Sequence, residues 1–135
     1  MSFAGGTQNW GNQRGSVIAD MDWHVVFYMN NAGNEPVKDF ILEQSDGAIA
    51  EILHVLKLLR EFNITLGMPY VDKIGPSGIR ELRIKHGSDI YRIYFFAHTG
   101  RKLVLLHATK KKRTKISQND ISLSIDRMND CTATS

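Results

Sequence analysis

One cysteine, Cys131, stands among 135 residues. A lone thiol near the end of the chain excludes a disulfide framework and a cysteine-built metal site. Proline is scarce, at three residues, and no apolar stretch nears the roughly 18–20 residues that a bilayer-spanning helix needs. Residues 1–20 lack the basic start and apolar run of a secretory signal. These absences lead to the expectation of a cytoplasmic protein with no membrane partner. The phosphate-loop, zinc-protease and serine-hydrolase motifs are missing as well. Carboxylates are sparse on the predicted sheet, where only Glu81 and Asp89 occur, and His24, His54, His86 and His98 show no ligand spacing. No metal and no cofactor is therefore expected.

What is present fits one globular domain: 42% of residues are hydrophobic and 23% charged. The net charge of +3 hides an uneven distribution. Residues 1–62 carry four basic and eight acidic groups, a balance of −4. Residues 63–116 carry twelve basic groups against Asp72, Glu81 and Asp89, a balance of +9. Residues 117–135 return to −2. A basic block confined to one stretch suits either a polyanion-binding surface or an ordinary solvated face.

Residues 1–20 are rich in Gly, Asn and Gln and show no apolar period, so they read as a flexible extension to a domain spanning 21–130, with 131–135 as a tail. Trp23 to Tyr28 (WHVVFY) is aromatic and β-branched and predicts a strand. A short helix follows, with Asn34 as its N-cap, Pro36 in its first turn, and Val37, Phe40 and Ile41 on one face. Ile49, Ile52, Leu53, Leu56 and Leu59 recur at three- and four-residue steps, predicting a one-sided helix over 46–62. Asn63 to Gly78, with two prolines and three glycines, reads as mostly loop. Three strands are predicted next, over 79–85, 89–97 and 102–109, joined by short turns into an antiparallel meander. Ser117 and Asp120 resemble a capping box for a last helix with Ile121, Ile125 and Met128 on one face. The expected fold is α+β, in the order β-α-α-β-β-β-α, with a small twisted antiparallel sheet against helices.

Strand alternation puts Glu81, Arg83 and Lys85 on one face, with Arg92 and Tyr94 in the neighbouring strand. The third strand runs through His107 into Lys110, Lys111, Lys112 and Arg113. One sheet face would then carry Arg83, Arg92, Tyr94 and the first lysines. Such cations bind RNA phosphates, and an aromatic ring stacks a base. They also suit RNA cleavage without a metal. The 2′-OH is an internal nucleophile that needs orientation, a proton acceptor and stabilisation of the charged phosphorane. Arg92, flanked by apolar residues, must either face a polar cleft or pair, for which Glu81 is the available partner. His107 serves either as an acid/base or as a satisfied core residue, and Tyr94 either as a stacking platform or as core.

The segments LGMPYVDKI, IRELRIKHGSDIYRIYFF and KLVLLHATKKKRTK resemble the RelE/HigB toxin superfamily, in its phage-derived host-inhibition branch, and the resemblance covers about residues 21–130. It implies a compact toxin fold and ribosome-dependent mRNA cleavage by the toxin of a type II toxin–antitoxin system. The implied partners are the ribosome, mRNA and a cognate antitoxin, usually a helix-turn-helix protein. The resemblance sets Arg83 and Arg92 on the scissile phosphate, one lysine (Lys110 first) as base or charge stabiliser, and His107 as acid. Lys85, Tyr94, Lys111, Lys112 and Arg113 would bind RNA. A non-catalytic RNA or ribosome binder, or a module inhibiting a host protein, is the competing expectation.

Overall fold

The computed structural model describes residues 22–111 and 116–134. The extension at 1–20, and Lys112 and Arg113 of the basic run, lie outside the described residues. The elements are β1 (His24–Phe27), α1 (Pro36–Leu42), α2 (Asp46–Phe62), a 3-10 turn (Asn63–Thr65), β2 (Val71–Lys73), β3 (Arg80–His86), β4 (Asp89–His98), β5 (Lys102–Lys111) and α3 (Gln118–Thr134).

α2 begins where Ser45, in extended conformation, accepts a hydrogen bond from the Ala48 amide through its hydroxyl. Its Ala48, Ile52, Val55, Leu56 and Leu59 are buried against one sheet face, with Leu82, Ile84, Ile93, Phe95, Leu103 and Leu105. Each large aliphatic side chain buried there stabilises the fold by roughly 1.5–3 kcal/mol. The first helix starts with Pro36, as expected, but Glu35 rather than Asn34 stands at its N-cap and no side chain caps it. Asn34 instead donates its amide to the Asn30 side chain in the preceding turn.

The sheet differs from the expectation in two ways. It has five strands in the order β1-β5-β4-β3-β2, and it is mixed, because β1 runs parallel to β5. The added strand, β2, pairs with β3 through Val71↔Leu82, Asp72↔Glu81 and Lys73↔Arg80. Its three residues sit between the helix-breaking pairs Gly67/Pro69 and Gly75/Pro76, which mask so short a run in the sequence. The β3–β4–β5 meander is as predicted. Its first turn is tight, with His86 paired to Asp89 and Gly87 supplying φ +62°.

α3 covers the other sheet face, where Ile121, Ile125 and Met128 pack on Tyr94, Phe96, Val104 and Leu106. Polar contacts fasten it to the sheet edge. Arg127 donates to the Leu106 carbonyl at 2.8 Å and lies over the Tyr28 ring, while Tyr28 donates to Asp130 at 2.7 Å. That last bond, helped by burial, raises the Tyr28 hydroxyl pKa above its usual range.

Candidate active site

Register assembles most of the expected residues on the α3 face. Arg83 stands opposite Arg92, which stands opposite Thr109; Glu81 stands opposite Tyr94, which stands opposite His107. Lys110 departs from this set. It pairs with Tyr91, whose ring enters the α1/α2 core, so the exposed Lys110 lies on the opposite face from Arg92. Lys85 is exposed at the end of β3, in register with Ile90 and, through it, Lys111.

Arg92 and Tyr94 are both fully buried. The Arg92 guanidinium is ion-paired with Glu81, which is buried too. Glu81 also accepts from Arg83 at 2.8 Å, and Asp72 lies 4.0 Å from the same guanidinium. Of the two arginines assigned to the scissile phosphate, Arg92 is therefore a structural residue as placed here. It is sealed from RNA and held by a carboxylate that its buried charge requires. Arg83 retains partial exposure, 26% of its side chain, with two carboxylates beside it.

Tyr94 is core rather than a platform for a base. Burial, then the nearby Glu81 and Asp120 carboxylates, raise its pKa to about 12, against opposing effects of Arg92 and Arg83. The folded state thus favours the neutral phenol. Its stabilisation is complete below the unfolded value of 10.0 and is lost as pH rises towards about 12. Denaturant titrations across that window are expected to show up to about 3 kcal/mol of alkaline destabilisation, reduced in Tyr94→Phe. An unchanged alkaline slope in that variant would contradict the assignment.

His107 is differently placed. The register of β4 on β5 slips between Tyr94 and Phe95, so that Tyr94 faces His107 but Phe95 faces Leu105. Leu106 and His107 consequently both address α3, as a bulge allows and strict alternation forbids. The imidazole stacks on the Tyr94 ring, with centroids 5.9 Å apart and planes 14° apart, and its Nε2 lies 2.8 Å from Asp120 Oδ1. Asp120, three residues after Ser117 at the start of α3, holds a histidine. The ring lines an open cleft of about 360 Å³ between β5, α1 and α3, together with Ala108, Phe40, Asp39, Glu43 and Arg127. Lys110 follows Ala108 by two residues on the same strand face, about 7 Å further along the edge.

Sequence reading missed Asp120 and Arg127 as members of this site. The one available signal was that Arg127 is the sole basic residue in an acidic tail segment.

Residues 39–129 match the family described as phage derived protein Gp49-like (DUF891). The chain belongs to that family, which is related to the toxins of toxin–antitoxin systems. The match runs from α1 into the last turns of α3 and includes His107, Asp120 and Arg127. No curated protein matches the chain.

Proposed function

We propose that this chain is the toxin of a type II toxin–antitoxin system, of the HigB-like branch, acting in the cytoplasm as a metal-independent, ribosome-dependent mRNA endoribonuclease. The observation that carries the reading is the oriented His107 in a cleft that Arg127 also lines. Asp120 occupies Nε2, which leaves Nδ1 as the ring nitrogen for substrate. It takes the proton of the RNA 2′-OH, whose oxygen attacks the adjacent phosphorus as the bond to the 5′-oxygen breaks. Arg127 offsets the charge that builds on the phosphoryl oxygens. The products are a 2′,3′-cyclic phosphate and a 5′-OH, the departing oxygen taking its proton from water. Lys85 and the lysine run guide the rest of the strand, and a helix-turn-helix antitoxin would mask the same surface.

Induced expression in a bacterial host, with mRNA 5′ ends mapped, tests this directly. Growth arrest with new codon-phased 5′-OH ends is expected. The carboxylates beside Arg83 and Arg92 favour a second reading, a non-catalytic RNA or ribosome binder. Normal growth and an unchanged 5′-end map, with folded protein accumulating, would transfer the assignment to that binder.

A further inference from the structure

Two like-charged pairs face each other across β2 and β3, and the structure treats them differently. Asp72 stands opposite Glu81, and Arg83 lies beside both carboxylates. Lys73 stands opposite Arg80, and among the described residues neither has a carboxylate partner; Arg80 donates to the Ile64 carbonyl at 3.1 Å. Like charges directly opposite on neighbouring strands are destabilising unless an opposite charge joins them.

The loop that joins these strands runs Ile74-Gly-Pro-Ser-Gly-Ile79. Its closing bonds are Ile74 N–H to the Ile79 carbonyl, 3.0 Å, and Ile79 N–H to Ser77 Oγ, 3.4 Å. Ser77 closes a hydrogen-bonded turn on Ile74 through Gly75 and Pro76, whereas the amides of Gly75 and Gly78 find no acceptor among the described residues. Gly75 and Gly78 adopt φ +62° and +95°, and a Cβ built on either would meet nothing within 4 Å. A cleft of about 250 Å³ opens there, lined by Lys73, Gly75, Pro76, Gly78, Ile79 and Arg80, with no carboxylate in its wall.

We infer that the β2–β3 loop is a phosphate-binding site. The amides of Gly75 and Gly78 are donors that suit an anion, and Lys73 and Arg80 line the same cleft. A tetrahedral phosphate group would accept from the loop amides and lie between Lys73 and Arg80, relieving their repulsion. The site is on the sheet face opposite Arg92 and Tyr94, so it is separate from the His107 cleft and does not depend on catalysis. The phosphate comes either from an RNA backbone or from a free phosphate.

Amide NMR titrations of the full chain test the inference, with sodium phosphate against sodium chloride at matched ionic strength, and with a single-stranded RNA decamer lacking terminal phosphates. Saturable shifts at Gly75 and Gly78, absent in Lys73→Gln/Arg80→Gln, are expected. Shifts with the decamer assign the site to the RNA backbone, and shifts with phosphate alone assign it to the free anion; either supports phosphate recognition. The single variant Lys73→Gln leaves the Arg80–Ile64 bond intact, so a folding defect cannot imitate the result. For the decamer, the slope of log affinity against log salt should shrink by about 0.7 in that variant and about 1.4 in the double variant. The inference is overturned if neither probe gives saturable shifts at these amides, or if the shifts survive in Lys73→Gln/Arg80→Gln.

Discussion

Replacing Glu81 by alanine is expected to destabilise the fold by about 3–5 kcal/mol, because the Arg92 charge would stay behind in the sheet without its carboxylate. Against a total stability of roughly 5–15 kcal/mol for a domain of this kind, that loss is a large fraction of the whole. Arg83 would lose its nearest carboxylate as well, but partial exposure to water softens that part of the effect. The cost comes from an imbalance rather than from the worth of the pair. Removing both charges together, as in Glu81→Leu/Arg92→Met, should therefore recover most of the loss. Urea titrations of the two variants decide the matter. A change below about 1 kcal/mol in Glu81→Ala would mean that the Arg92 charge is compensated without this carboxylate.

This pair also shows how far the chain could be read before its structure. Arg92 amid IYRIYFFA announces a buried cation, and Glu81 is the partner that strand alternation offers; the structure joins them. The step that fails is the assignment of Arg92 to RNA, since a residue's type and strand position do not show how deeply the fold buries it. Local signals served the regular elements well. The three- and four-residue spacing of Ile49 to Leu59 places α2, and the turns at Gly87 and Gly100 separate the meander strands. Both depend on neighbours in sequence.

The parallel pairing of His24–Phe27 with Lys102–Leu105 joins segments far apart in the chain, and no local pattern records it. The strand Val71–Lys73 is too short for a period-two pattern to emerge from its glycine- and proline-rich setting. The same distinction separates the two parts of the candidate site. The cations of β3 and β5 were legible as a charge block. The bulge at Leu106–His107 was not, because it adds one residue without any distinctive composition. It turns His107 towards Asp120 and Lys110 towards the opposite face, so the roles expected of those two residues depend on it.

His107→Ala is expected to lower mRNA cleavage by about 10²–10⁴-fold, the usual contribution of a positioned acid/base, equivalent to roughly 3–5 kcal/mol of barrier. Two contacts fix the ring: Asp120 at Nε2 and the parallel Tyr94 ring on its face. An ionised carboxylate only accepts hydrogen bonds, so the neutral ring that the proposed base requires carries its hydrogen on Nε2 and its lone pair on Nδ1. In the proposed reaction Asp120 is a positioning residue that acts through the histidine. Asp120→Asn should accordingly reduce kcat with little change in KM, and by less than His107→Ala does. Cleavage rates on programmed ribosomes, measured beside ribosome affinity, separate the alternatives. Lost cleavage with retained binding in a folded His107→Ala protein identifies the catalytic residue. Wild-type cleavage by that variant would move the chemistry away from this cleft. Parallel loss of binding would instead make His107 part of the surface that grips RNA, because an acid/base contributes far more to the transition state than to the bound strand.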